Sequence, residues 1–404
     1  MTGIPRRTVL VGGAAAASVA ASVLAAGAPA LAASTADDAG LIVRWNQELL
    51  RILRTPGQQP ATVHATRTFA MVHLAIHEAV AHSSRFHGEQ PAAAAQAAHD
   101  VLAALFPAQV AALDAHLAAD LATVTDPRSR ATGIHIGHQA ASRVLAQRVG
   151  DGSSVTPPAI PPGTEPGQYR PDPPAFAPAT FTHWANVKPF VLHRADQFRV
   201  RPYPSLHGGL YAAAIDEVRR LGQNTSTERT ADQTVQARFW PAPIWNYWNE
   251  ITQTVITAER PSLATAARVF ARLNVTFADA AIAFYDSKYH FLIWRPVSAI
   301  RFAEVGADPT WLPLLGTPSD PSYPGAHSVI SAAGRVVLES VFGPRHHFTV
   351  TSEVLPGVTR SFRTFAAAVE DAGTSRMLAG VHTSLDHVAG VRMGEAVARF
   401  VMRR

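Results

Sequence analysis

The sequence predicts an all-α protein built as a large helical bundle, and three observations carry that expectation. From residue 40 onward, apolar residues recur at spacings of three and four, the period of one helix face. No stretch sustains the alternation of β-branched and polar residues that builds a large sheet. With 404 residues, 47% hydrophobic against 16% charged, the chain can bury a substantial core without covalent staples. It contains no cysteine, which excludes disulfide scaffolds, cysteine zinc sites, iron–sulfur clusters and thiol nucleophiles.

Taken in order, residues 1–32 read as an export signal. Arg6 and Arg7 stand ahead of Thr8-Val9-Leu10, an Ala- and Gly-rich apolar stretch follows, and Ala30-Leu31-Ala32 supplies a small-x-small cleavage site. The paired arginines resemble a twin-arginine signal, so the mature chain, residues 33–404, is expected to be secreted or extracytoplasmic. No later run reaches the roughly 18 consecutive apolar residues of a membrane span, and no membrane association is expected once the signal is removed.

Leu41, Val43, Trp45, Leu49 and Leu50 open the first amphipathic helix. Phe69, Met71, Val72, Leu74, Ala75 and Val80 mark the second. Residues 92–149 read as three packed helices broken at Pro107 and at Asp126-Pro127. Residues 157–178 hold nine prolines. Tyr169, Phe176, Phe181, Trp184 and Phe190 are anchors that a flexible linker does not need, so this stretch is read as an ordered loop within a single catalytic domain. Helices resume near Gly208 and are expected over 231–257, 263–288, 325–343, 361–379 and 386–403.

The net charge is +5, and of 35 basic residues only Lys188 and Lys288 are lysines. No basic run or RNA-binding signature accompanies that charge, so nucleic acid is not an expected partner.

Three short motifs in the last third carry the chemistry. The first is Lys288-x6-Arg295-Pro296. Seven residues is close to two helical turns, about 10.5 Å along the axis. The spacing predicts both cations on one helix face, with Pro296 marking the helix end or a kink. Phe284, Phe291, Leu292, Ile293 and Trp294 around them are expected to be buried. The second motif, Tyr323-Pro324-Gly325-Ala326-His327-Ser328, is a small-residue turn running into a helix. Such an N-terminus points free N–H groups at an anion, and His327 can add acid–base work there. The third is Ser375-Arg376-x5-His382-x3-Asp386. His382 and Asp386 at i, i+4 on a helix let the carboxylate hold one ring nitrogen and leave the other free as ligand or nucleophile. One lysine, two arginines, a helix N-terminus and two histidines together describe a pocket for a tetrahedral, highly charged oxyanion.

In this order the motifs resemble the signature of the vanadium-dependent haloperoxidases and of their relatives, the acid phosphatases of the type 2 phosphatidic acid phosphatase superfamily. Gln197-Phe198-Arg199, Phe239-Trp240 and residues 278–301 and 308–315 resemble the bacterial haloperoxidase-like branch, and the likeness runs over about residues 40–404. The resemblance implies a helical bundle and vanadate as cofactor, with phosphate able to take the same site. Lys288, Arg295 and Arg376 would neutralise the oxyanion, together with the turn at Gly325 and Ala326. His382 would be the metal ligand, with Asp386 behind it. His327 would be the acid–base group, and Lys288 would also polarise peroxide. The implied partners are hydrogen peroxide, a halide and a small organic acceptor, and a homodimer is compatible with the family. Two further readings share the pocket. One is a metal-free acid phosphatase in which His382 forms a phosphohistidine and His327 protonates the leaving alcohol. The other is a non-oxidative or oxyanion-binding relative with a degenerate pocket.

The chain departs from the family pattern at four places. Gly325 replaces a serine, Ala326 replaces a glycine, Asp320 stands where an aromatic is frequent, and Tyr285 stands for a tryptophan. Asp320 would repel a halide if it faces the pocket. Elsewhere, His73-x3-His77-Glu78 reads as a polar contact between helices, ahead of a zinc site. His135, His138, His346 and His347 read as surface residues.

Overall fold

The computed structural model describes residues 38–59, 63–86 and 89–404; the expected export signal lies outside them. Thirteen α-helices and a single two-stranded sheet make up the regular structure among the described residues, in agreement with the expected fold class. No helix there is long and apolar enough to cross a membrane.

Five helices form the amino-terminal part: α1 (Asp38–Arg54), α2 (His64–Phe86), α3 (Gln90–Leu105), α4 (Val110–Ala122) and α5 (Pro127–Gln147). The breaks expected at Pro107 and Asp126 are real. Asp126 accepts a hydrogen bond from the Ser129 N–H and so caps α5, with Pro127 in the first turn. Peripheral helices α6 (Gly209–Leu221) and α7 (Ala231–Phe239) lead into α8 (Ile244–Glu259) and α9 (Leu263–Phe291). Of 29 residues, α9 is about 43 Å long. It is buried along most of its length, as expected for a helix apolar on nearly every side. It packs on α1, α2, α11 and α13. After the short α10 (Pro296–Arg301) come α11 (Ala326–Phe342), the hairpin β1 (Arg345–Thr351) and β2 (Thr359–Thr364), α12 (Phe365–Leu378) and α13 (Ser384–Val401).

The hairpin corrects the helix expected over 361–379. β1 and β2 pair antiparallel with Phe348 opposite Phe362, and Phe348, Val350 and Phe362 turn inward while their neighbours face out. This is the period-two pattern, but only two buried residues on β1 and one on β2 carry it. Thr364 then caps α12 through the Ala367 N–H.

Polar side chains cross the core where α1, α2, α8 and α9 meet. Asn46 donates to His73 Nε2 (2.7 Å) and to Asn249 (2.8 Å), and Asn249 exchanges hydrogen bonds with Asn274. His73 stacks on Phe270, so it serves the interhelical contact read from the sequence. His135, His138 and His347 are exposed, whereas His346 is half-buried against Phe365.

The proline-rich stretch has no regular structure and is tied to the segment between α9 and α10. The Tyr169 N–H donates to the Leu292 carbonyl (2.6 Å), and the Trp294 N–H donates to the Gly167 carbonyl (2.9 Å). Tyr169 and Trp184 are buried, and Phe181 and Phe190 are half-buried. Phe176, expected to be an anchor, is 62% exposed.

Two helices that carry motif residues approach closely. A Cβ at Gly390 of α13 would lie 2.7 Å from the Gly325 carbonyl oxygen, so only glycine allows the backbones this near. The Gly325 N–H donates in turn to the Asp386 carbonyl (3.0 Å). The amino-terminal ends of α11 and α13 are thereby held side by side.

Candidate active site

The last turn of α9 delivers Lys288 with no solvent exposure. Its ammonium donates to the Pro321 carbonyl and to the Ser322 carbonyl (3.3 Å), and stands 3.5 Å from Asp320 Oδ2. Burial pushes its pKa down to about 8 against the opposing pull of Asp320, so it is still mainly charged at neutral pH.

The route from Lys288 to Arg295 differs from the expectation of one continuous helix face. The helix ends at Phe291, and Leu292 adopts a left-handed conformation (φ 50°). Arg295 is the residue before α10, whose first position is Pro296. Proline there opens a helix rather than closing one, because its missing N–H is not needed in the first turn. The two cations converge through a turn held by the proline-rich stretch. Leu292, at 36% exposure, is the one expected core residue of this motif on the surface; Phe284 and Trp294 are buried, Phe291 and Ile293 half-buried.

Arg295 is buried and fully engaged. Nε donates to the Asp320 carbonyl (2.8 Å), Nη2 to the Asp320 carboxylate, and Nη1 to the Val381 carbonyl (2.8 Å) and to His382 Nε2 (3.0 Å). An arginine N–H can only donate, so His382 Nε2 is an acceptor and the ring proton sits on Nδ1. Nδ1 faces Asp386 Oδ2 at 3.3 Å. Burial, followed by the Arg295 charge, pushes the His382 pKa down to about 3. The imidazole is therefore neutral, with its lone pair on Nε2.

His382 is not on a helix with Asp386, contrary to expectation. Thr383 caps α13, and Asp386 is the third residue of that helix, in a reciprocal capping box with Thr383. One carboxylate oxygen of Asp386 gathers the Thr383 N–H (2.8 Å), the Ser322 hydroxyl (2.7 Å) and His382. Burial acts to raise the Asp386 pKa, but His382, the Thr383 N–H and Ser322 outweigh it and hold the group ionised.

No side chain caps α11, and its first internal bond runs from the Val329 N–H to the Gly325 carbonyl. The N–H groups of the first turn, from Ala326, are thus available to an anion. Ala326 is not among the residues with positive φ, so the alanine causes no backbone strain. His327 is half-buried, and its Nε2–H donates to the Trp240 carbonyl (2.8 Å). Burial, then Arg376, pushes its pKa well below the usual value, so it is a neutral base through Nδ1.

Arg376, near the end of α12, is buried, and its Nε and Nη1 have no hydrogen-bond partner among the described residues. Burial, then the Arg295 charge, lowers its pKa to about 10, which leaves it charged. Ser375 turns back to its own helix, donating to the Ala372 carbonyl.

These side chains share one cavity of about 190 Å³. Lys288, Arg295, Ala326, His327, Arg376 and His382 line it, as does Asp320. Trp245, Phe284 and Tyr285 form its aromatic wall, and the Trp245 indole N–H is buried without a partner. Of the expected site residues, Gly325 and Asp386 do not line the cavity; both lie behind it. Ser322, which orients Asp386, and the Trp240 carbonyl, which orients His327, were missed from the sequence. A main-chain oxygen leaves no sequence signal, whereas Ser322, two residues before Pro324, lay within view.

Residues 268–404 match the family model of the VCPO second helical-bundle domain. The vanadium chloroperoxidase of Curvularia inaequalis is 29% identical over 139 residues, a match that takes in 27% of this chain and 22% of that protein. Among solved structures, the first bacterial vanadium-dependent iodoperoxidase superposes with a TM-score of 0.78 at 24% identity, covering 91% of this chain and 96% of its own. A holo-type bacterial vanadium-dependent chloroperoxidase follows at 0.66 and 17%, covering 88% and 95%. The chain is thus similar to vanadium-dependent haloperoxidases: it has the fold of these bacterial structures, and its last third matches the VCPO second helical-bundle domain.

Proposed function

We propose that the cavity binds a tetrahedral oxyanion and that the chain is a vanadium-dependent haloperoxidase-like enzyme, oxidising a halide with hydrogen peroxide and halogenating a small organic acceptor. The observation that carries the oxyanion reading is Arg376. Two of its nitrogens, Nε and Nη1, are buried without partners in a small cavity beside two further cations and an uncapped helix terminus. Leaving a charged donor unsatisfied in the interior costs about 1–3 kcal/mol or more, a cost that an anionic ligand removes.

Vanadate fits these residues. His382 would hold the metal through Nε2, which the Nδ1–H toward Asp386 leaves unprotonated, once Arg295 Nη1 gives up the hydrogen bond it makes there. Arg376 and the first N–H groups of α11 would hold its oxygens, and Lys288 and Arg295 would add positive charge beside them. Bound there, vanadate would supply the Lewis-acid activation of peroxide that halide oxidation requires. The protein's share is proton handling and exclusion of water. His327, neutral and with its Nε2–H donated to the Trp240 carbonyl, would accept a proton from peroxide through Nδ1. Trp245, Phe284 and Tyr285 keep the cavity wall apolar. The test is vanadium retained after loading with orthovanadate and gel filtration, then bromination or iodination of a phenolic acceptor with peroxide. Loaded protein that leaves the acceptor untouched overturns the haloperoxidase assignment.

Asp320 favours a second reading, because its buried carboxylate on the cationic side opposes entry of a halide. In a phosphatase, neutral His382 would attack phosphorus through Nε2 as the ester P–O bond breaks, the alcohol would leave with a proton delivered through His327, and water would then cleave the phosphohistidine to phosphate. Phosphate release from a simple monoester, abolished in His382→Ala, would identify this alternative. Export by the twin-arginine route is proposed on the leader sequence alone, and the cellular fraction holding the processed chain tests it.

A further inference from the structure

We propose that Asp320 is a specificity-determining residue that selects oxyanions still carrying a proton, such as phosphate or vanadate, over a fully deprotonated one such as sulfate. The inference rests on the oxyanion reading of the cavity and goes beyond it.

Three cations face the cavity, and two are already satisfied from within. Lys288 spends hydrogen bonds on the Pro321 and Ser322 carbonyls and faces Asp320. Arg295 holds Asp320 by both its carboxylate and its main-chain oxygen. The Asp320 carboxylate lines the cavity, and although burial acts to raise its pKa, Lys288 and Arg295 keep it ionised. A carboxylate has about four lone-pair positions. Arg295 and Lys288 account for two, and the others remain for a ligand. On the α9–α10 side, an oxyanion reaching across from Arg376 therefore meets the Asp320 acceptor between two cations whose hydrogen bonds are already spent. Phosphate and vanadate retain a proton near neutral pH and can donate that O–H to Asp320. Sulfate has none to give, so its oxygen would be pressed against a carboxylate, and a halide would suffer likewise.

The carboxylate is not required to position its own loop. The Ser319 carbonyl accepts the Thr180 N–H (2.8 Å), and the Pro321 carbonyl accepts from Lys288. The Ser322 N–H donates to the Ile293 carbonyl (2.9 Å), and its hydroxyl donates to Asp386. Main-chain bonds thus fix residues on both sides of Asp320 independently of its side chain.

Isothermal titration of the full mature chain with inorganic phosphate and with sulfate tests the proposal, using wild type, Asp320→Asn and Asp320→Glu. Wild type is expected to bind phosphate at least about tenfold more tightly than sulfate. Asp320→Asn should bring the two affinities within about threefold by strengthening sulfate, and Asp320→Glu should retain the preference. Equal affinities in wild type overturn the proposal even if Asp320→Asn does not fold, as does a phosphate preference that Asp320→Asn leaves unchanged. If wild type binds neither anion and Arg376→Met changes nothing, the oxyanion reading itself falls, and this proposal with it.

Discussion

The two sides of the cavity are built on opposite plans. On the α9–α10 side, Lys288 and Arg295 are saturated by carbonyls and by Asp320, so their charges belong to the structure as much as to any ligand. On the α12 side, Arg376 is just as buried and keeps donors unspent. The difference teaches that a buried cation alone does not mark a binding group; the state of its hydrogen bonds does. It also separates residues whose loss should be felt in folding from those whose loss should be felt in binding.

The largest expected effect is on the saturated side. Arg295→Met leaves Asp320 without its main partner and frees the Val381 carbonyl, and should cost about 3–5 kcal/mol in urea unfolding. Arg376→Met should reverse that profile. It leaves stability unchanged or slightly higher, because unsatisfied donors are removed, while phosphate affinity by titration falls about a hundredfold. A large stability loss in Arg376→Met would erase the distinction between the two sides.

Acid should weaken the protein by a route that joins the pocket to the core. His382 in the pocket and His73 in the polar core both have pKa values pushed down to about 3 by burial. Below about pH 6.5 the unfolded chain binds protons at these histidines and the folded chain does not, so stability falls as pH drops toward 3. Each contributes about 1.4 kcal/mol per pH unit across that window. Urea midpoints between pH 7 and pH 4 check the slope, and His73→Gln should flatten it without altering phosphate binding. A mutant slope equal to that of wild type would remove His73 from the account.

The smallest effect concerns Gly325. Its φ of −72° suits any residue, and a Cβ there would lie 3.3 Å from the Asp386 carbonyl oxygen. Gly325→Ser should therefore fold and add one hydroxyl donor beside the α11 terminus. Phosphate affinity is expected to rise by up to about tenfold. No gain would mean that the hydroxyl turns toward Ser328 instead.

The chemistry of the site was more legible in the sequence than the backbone that holds it. Lys288, Arg295, Arg376, His327 and His382 were all identified from residue type and order, and all meet in the cavity. The paths between them were not. A helix-compatible spacing concealed the turn at Leu292, because that turn is held by a hydrogen bond from the Tyr169 N–H and another to the Gly167 carbonyl, more than a hundred residues away. His382 and Asp386 were read on one helix, whereas the capping box places the boundary between them, a detail within the usual uncertainty of helix ends. The hairpin was hidden because its inward face shows only Phe348, Val350 and Phe362. Asp320 was visible as a departure from the family pattern, but its partners were not, because proximity across the cavity has no counterpart in sequence spacing.

The close passage of Gly390 past Gly325 has a consequence for recognising working relatives of this chain. His327 and His382 belong to separate stretches of chain, and the alignment of one with the other depends on two backbones in contact, with no charged or histidine side chain taking part. A homologue could keep every charged and histidine residue of the three motifs yet carry alanine or valine at the position of Gly390. The helix ends would then part, and the catalytic groups would be present but out of register. A search signature that includes this glycine would separate competent pockets from inherited remnants better than the reactive side chains alone.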